Sequence, residues 1–306
     1  MYRIYHIYDK EHTYFPAGAS FRSRFMNPAK SLLRQNVISK CVNKPQPEGI
    51  HIYHKHFCKE SLEWIKQTGG IFDITDYHFK KKEEEYYREM CRHADIITCP
   101  TNEMSRLIQN ETGRRAVEIV QDPYDGIEFE EQEPAYQDTK TVCWFGHKSN
   151  LWTLENQMIH CGGELVSNCA QKMVLDKSWK YTAWKPSVMK EVFKRHDIVI
   201  IPYGDTQWQH CKSPNRVVDS LYSGKIVVTN YTPVIEGLER FVILNNDISE
   251  GVKWVWKNSA SAIAKTRDGQ EYVKEYYSPL KISERWKEII QMEDNILQAR
   301  KEKAIA

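Results

Sequence analysis

The run GDTQWQHCKSPNRVVDSLYSGKIVVT, which follows the apolar segment DIVIIPY at 197–203, holds the densest group of residues suited to chemistry. Ser213 can cap a helix and Pro214 suits a first helical position, so the segment predicts a helix over 214–223. Lys212 would then precede that helix, with Asn215 and Arg216 in its first turn. Two cations beside the unpaired N–H groups of a helix start are what binding a diphosphate requires. Asp219, one turn beyond Asn215, could accept hydrogen bonds from ribose hydroxyls, and Gly224 closes the helix. A well-capped helix with ordinary surface charges is the plainer account of the same residues.

Further candidates follow other strands. In Pro16-Ala17-Gly18-Ala19-Ser20, Gly18 would let a ligand approach the backbone and Ser20 could cap the next helix. Arg22 and Arg24 fall in the first turn of that helix, where cations oppose the helix dipole; an external anion, or simply solvent, would account for them. Gly146 and Lys148 in WFGHKSN form a weaker group of the same kind. HIYHKHF puts His54 and His56 near a strand end; with His51 they alternate faces unevenly and lack carboxylate support, which favours polar cleft histidines over a metal site. FDITDYHF adds Asp73, Asp76 and His78, whose acids could position a hydroxyl, act as a base, or stabilise a turn. The eight cysteines form no CxxC pair, so neither zinc nor a disulfide scaffold is expected.

The elements that would hold these residues alternate. Strands are predicted at 2–8, 36–42, 49–54, 70–75, 95–99 and 116–120, with helices at 20–35, 59–67, 81–93 and 101–110. Such alternation implies parallel sheet with right-handed crossovers. The segment 121–138 lacks periodicity, has seven acidic residues and reads as a linker, with a boundary near 136. A second series follows: strands at 141–146, 172–175, 197–203, 225–229 and 240–244, and helices at 150–159, 186–195 and 214–223. The tail 281–303 is a charged helix whose Ile282, Trp286, Ile289, Ile290, Met292 and Ile296 make an apolar stripe. Length supports the same division: 306 residues suit two domains, with 41% hydrophobic and 27% charged residues. The net charge of +2 is uninformative, but residues 1–59 hold ten Lys and Arg against three acids, as an anionic ligand or nucleic acid would favour. No run is long and apolar enough to span a membrane and no secretory segment opens the chain, so a cytoplasmic protein is expected.

The run from Asp197 to Leu238 resembles the donor-binding segment of GT-B glycosyltransferases, especially the family-four-like retaining enzymes. GASFRSRFMNPAKSLLRQN resembles their first glycine loop and helix, IHIYHKHF their strand ending in a cleft histidine, and HADIITCPTNEMSRLI with VEIVQDPYDG the end of their first domain. The resemblance implies an α/β fold of two facing Rossmann-like domains, at 1–136 and 137–280, with a C-terminal helix at 281–306 crossing back onto the first. It also implies transfer of a sugar from a nucleotide-diphosphate sugar to a hydroxyl acceptor, with retention, no bound metal and no cofactor beyond the donor itself. Carried over, Lys212 and Arg216 would meet the diphosphate, Ser213 to Asn215 would supply N–H groups, and Asp219 would take the ribose. Gly18, Ser20, Gly146 and Lys148 would complete the donor side. His54, His56 and Asp76 would form the catalytic group, and Arg22, Arg24 and His78 the acceptor side. Cys211 stands where the family has a glutamate eight residues before the ribose acid. The acceptor is a saccharide or small molecule by default. A hydroxymethylated base in DNA is an alternative acceptor, a non-catalytic nucleotide- or glycan-binding protein an alternative of another class, and a sugar-nucleotide epimerase a third.

Overall fold

The computed structural model describes residues 3–7, 21–35, 37–54, 58–80, 83–138, 140–155, 162–168, 179–185 and 187–305. The predicted strand at 172–175 and the candidates Gly18, Ser20 and His56 lie outside them. The chain divides into two compact units: Met1–Pro123 with Cys211–Ser213 and Ser278–Ala306, and Tyr124–His210 with Pro214–Tyr277.

In the first unit, β1 (Arg3–Ile7), β2 (Ile38–Val42), β3 (Ile50–His54), β4 (Ile71–Asp73), β5 (Ile96–Cys99) and β6 (Glu118–Ile119) form a parallel sheet. Its order is β2-β1-β3-β4-β5-β6. β3, β4 and β5 are buried at every position, as strands covered on both faces must be. A π-helical turn (Arg22–Met26) runs into α1 (Asn27–Leu33), and α2 (Lys59–Thr68), α3 (Glu84–His93) and α4 (Asn102–Thr112) follow the later strands. The reason α3 packs is legible in its spacing: Tyr87, Met90 and Cys91 recur on one face and are buried. α4 is bounded by its ends, since the Thr101 hydroxyl accepts the Met104 N–H and Gly113 takes the left-handed conformation that stops it.

In the second unit, β7 (Val142–Gly146), β8 (Gly163–Ser167), β9 (Trp179–Ala183), β10 (Ile198–Ile200), β11 (Ile226–Thr229) and β12 (Ile243–Leu244) form a parallel sheet ordered β12-β11-β10-β7-β8-β9. Its helices are α5 (Leu151–Glu155), α6 (Val188–Arg195), α7 (Gln207–His210), α8 (Asn215–Tyr222), α9 (Ile248–Lys257) and α10 (Ser259–Tyr276). The last helix, α11 (Pro279–Ile305), belongs to the first unit. There Ile282, Trp286, Ile289 and Ile290 pack on Ile4, Ile50, Ile52, Ile71 and Ile96, which lie on a single face of β1, β3, β4 and β5.

Elements at β9, α7, α9 and α10 form where none was expected, and two further departures have a clear physical cause. β8 goes unread in the sequence because Glu164 interrupts its apolar residues; the carboxylate is buried but paired with Arg195 at 3.0 Å and His196 at 3.1 Å. The acidic segment after 121 is not a free linker. The division falls at Tyr124 rather than near 136, and the segment packs into the second unit. Phe129 joins that unit's core, the Trp184 indole donates to buried Glu128, and Gln270 donates to the Gln132 carbonyl at 2.8 Å. Gly224, with φ +66°, lies so close to the Gln132 carbonyl that a side chain would collide with it.

Candidate active site

In the second unit the strand order reverses between β7 and β10, and in open α/β sheets ligands bind beyond the carboxyl ends of the strands at such a point. Gly146 ends β7, Tyr203 lies just past β10, and the first turn of α8 brings Arg216 between them. The Arg216 guanidinium sits 5.3 Å from the Tyr203 ring centre and 5.9 Å from that of Trp144, with Nη1 3.4 Å from the Phe145 carbonyl it donates to. A Cβ on Gly146 would stand 3.4 Å from the same Nη1 and 3.1 Å from Trp144, so a side chain there would crowd the indole beside the cation.

Arg216 is half-buried, and among the described residues no carboxylate lies within ion-pair distance of it. Burial lowers its pKa, but a guanidinium keeps its proton at any ordinary pH. A guanidinium flanked by two rings and one carbonyl, with no carboxylate partner among the described residues, keeps donors that an anion could use. Among the sequence candidates, the structure therefore brings Gly146 and Arg216 together.

The others fall differently. α8 begins at Asn215, and Pro214 rather than Ser213 occupies the capping position, because the Pro214 carbonyl already accepts from Val217 and Val218. Lys212, Ser213 and Asn215 are half-buried, and Cys211–Ser213 is counted with the first unit. The Lys148 side chain is exposed, and its backbone N–H donates to Asn168. Asp219 is buried rather than open to a ribose: its Oδ1 accepts the Asp125 backbone N–H at 2.8 Å and so anchors the start of the acidic segment.

The first unit places a row of polar side chains across the carboxyl ends of its strands. His54, Asp73 and Thr98 are register partners on β3, β4 and β5, and His6 on β1 is paired with Ile52, two residues before His54. Asp73 is the hub. Its Oδ2 accepts from Arg24 Nε at 2.9 Å and faces His54 Nδ1 at 2.8 Å, while its Oδ1 accepts from Thr98 Oγ1 at 2.7 Å and from the Arg24 terminal nitrogen. Arg24 also donates to the Val120 carbonyl and to Asp122 at 3.3 Å, and stacks 5.1 Å from the Trp286 ring centre. Burial works to raise the Asp73 carboxyl, but the Arg24 charge and the bonds from His54 and Arg24 outweigh it and hold Asp73 well below the usual carboxylate range.

Arg22 and Arg24 are thus both buried, which removes the acceptor-facing position expected for them; Arg24 neutralises carboxylates inside the unit. Asp73, rather than Asp76, is the acid on which the network is built. Asp76 and His78 are half-buried beyond the strand, with the His78 ring 4.6 Å from that of Tyr87 and its Nδ1 3.9 Å from Glu83. Sequence reasoning passed over His6, Thr98, Trp144 and Tyr203 as site residues. The readable sign for the first two is their position near strand ends on the same face as His54. Among the described residues, no three of His, Cys, Asp and Glu come together as a metal-ligand set.

No family model and no curated protein matches the chain. Solved structures do. Sucrose-phosphate synthase from Thermosynechococcus elongatus superposes with a TM-score of 0.71 at 10% identity, covering 95% of this chain and 99% of that one. HepE from Anabaena in complex with UDP-glucose gives 0.68 at 11% identity, covering 95% and 100%. An alpha-glucosyltransferase in complex with UDP-glucose and DNA containing an abasic site gives 0.57 at 10% identity, covering 94% and 98%. The fold is that of the GT-B glycosyltransferases. Two six-stranded parallel sheets and a long C-terminal helix are the GT-B features seen in this chain.

Proposed function

We propose that the protein is a glycosyltransferase that moves a sugar from a nucleotide-diphosphate sugar to a hydroxyl acceptor. The observation that carries this reading is Arg216, a half-buried cation without a carboxylate partner among the described residues, set beside Gly146 at the switch point of a GT-B sheet. Similar solved structures hold UDP-glucose, which makes uridine diphosphate sugars the first donors to try. Arg216 and the first N–H groups of α8 would offset the charge of the departing diphosphate, an electrostatic contribution of about 3 kcal/mol per well-placed donor. Retention, and chemistry without a metal or resident cofactor, are part of the proposal. So is action in the cytoplasm, which accords with six free cysteines among the described residues; no described helix is long and apolar enough to cross a membrane.

The test is thermal stabilisation by a panel of nucleoside diphosphates and their sugars. A ligand at 100 times its Kd should add about 2.7 kcal/mol, and Arg216→Ala should abolish the shift while the variant still unfolds cooperatively. No stabilisation by any nucleotide would overturn the reading. Binding without sugar transfer or hydrolysis would point to a non-catalytic nucleotide-binding protein. For the acceptor, a saccharide or small molecule is the first reading. DNA is the second, favoured by the likeness to the DNA-bound alpha-glucosyltransferase and by the basic charge of residues 1–59. Salt-sensitive retention on duplex DNA would support it, and absence of retention at low salt would remove it.

A further inference from the structure

Three rings lead out of the core of the second unit along α10. Phe241 belongs to that core and is 5% exposed. Tyr272 stands 4.9 Å from it, centre to centre, and Tyr276, 42% exposed, stands 4.6 Å from Tyr272. Their spacing of four residues puts Tyr272 and Tyr276 on one helix face, and Asp268, Glu271 and Glu275 share it. Arg240, in the turn before β12, lies 4.5 Å from the Phe241 ring centre and 5.7 Å from that of Tyr272. These residues line a cavity of about 650 Å³. A second cavity, of about 300 Å³, follows the edge strand β12 to Trp254 on α9, a side chain that is 36% exposed. Lys265 lines both, and its Nζ donates to the Arg240 carbonyl at 2.9 Å. Both volumes fall in the range of small-molecule sites, about 300–1,000 Å³. Gly146 and Arg216 stand at the carboxyl end of the sheet, whereas the larger cavity opens at the amino end of β12, so the two places are distinct.

The lining selects an occupant. Glu239, Asp268, Glu271 and Glu275 outnumber Arg240 and Lys265, a balance that turns away phosphates and nucleic acid. The protein's own Arg240 already takes the place over Phe241 and Tyr272 that a ligand cation would seek. Half-open rings remain beside carboxylates with acceptor capacity to spare: among the described residues Glu239, Asp268 and Glu275 make no ion pair. A neutral sugar matches both. Its C–H edges carry slight positive charge and lie against the negative face of an aromatic ring, and its hydroxyls donate to carboxylates in charge-assisted hydrogen bonds. One exposed ring in each of two adjoining cavities suits a chain of sugars rather than a single one. We propose that this groove binds a neutral oligosaccharide, with sugar rings against Trp254 and Tyr276 and hydroxyls on Asp268 and Glu275. The site lies wholly within the second unit and does not depend on the donor reading.

The experiment uses the full chain with maltohexaose, cellohexaose and chitohexaose as neutral probes, and hexalysine and a heparin hexasaccharide as charged ones. Binding is followed by calorimetry and by saturation-transfer NMR. At least one neutral probe should bind, and it should shift the Trp254 indole N–H signal of the wild-type chain, which reports the site without any variant. Tyr276→Ala and Trp254→Ala should each weaken that binding about tenfold, with cooperative urea unfolding and the nucleotide-induced thermal shift unchanged. Failure of all three neutral probes would overturn the proposal. So would binding that leaves the Trp254 signal unmoved and survives both substitutions, since the sugar would then be held elsewhere. Preference for hexalysine or heparin over every neutral probe would overturn it too. A chain that binds a neutral probe in this way but no nucleotide keeps the groove and loses only the glycosyltransferase reading.

Discussion

Arg24 carries its charge into a layer without solvent, where Asp73 and Asp122 meet it. Arg24→Ala would strand two buried carboxylates, and breaking a buried pair from one side costs about 3–5 kcal/mol. Urea unfolding should show that loss, and Arg24→Lys should recover little of it because an ammonium cannot make the paired contact with Asp73. Glu293 on α11 is the opposite case, a buried acid with no ion-pair partner among the described residues. Burial, then the charge and hydrogen bond of Asp95, raise its pKa from 4.5 to about 8, with Arg300 working the other way. The unfolded chain releases this proton near 4.5 and the folded chain near 8, so this group's stabilisation is complete below 4.5 and is lost as pH rises towards 8. Glu293→Gln should flatten that decline and be more stable than wild type at pH 9, by a few kcal/mol, in urea midpoints taken from pH 5 to 9. Arg216 is a contrasting case: its place in the first turn of α8 was legible from the residues beside it in the chain. Arg24 could not be read, since a basic residue in a first helical turn suits solvent, a ligand or a carboxylate equally, and its partner stands 49 residues away.

At the scale of elements, the apolar stripe of α11 announced a buried helix, and its packing against β1, β3, β4 and β5 supplies the surface that the stripe demands. Trp286 lies at the meeting of that surface with the polar row, under the Arg24 guanidinium. Trp286→Ala should cost about 3–5 kcal/mol, and it should broaden the His54 resonance, because the rings stand 6.3 Å apart. A denaturation series with NMR of the same samples would check both. Strands with continuous apolar runs were read from sequence with ends within three residues. β8 was hidden by one buried glutamate, and the acidic segment after Pro123 was hidden by its charge. In both, the deciding term is a partner far along the chain: Arg195 and His196 for Glu164, and Trp184 for Glu128. Local polarity argues for solvent, and only the folded neighbours argue otherwise.

For the whole molecule, the division of the chain is uneven. The second unit is one run from Tyr124 to Tyr277 apart from three residues, whereas the first is assembled from both sides of it. A fragment spanning 124–277 should therefore fold on its own, with a cooperative melt and dispersed amide signals. A fragment spanning 1–123 should stay partly unfolded until a peptide of 278–306 is added, because Ile4, Ile50, Ile52, Ile71 and Ile96 would otherwise face water. Titration of the peptide, followed by circular dichroism, would decide this. The same arrangement sets an order on the ribosome. The first sheet leaves the exit tunnel with one face uncovered, and that face waits through the 155 residues between Pro123 and Pro279 before α11 is made to cover it.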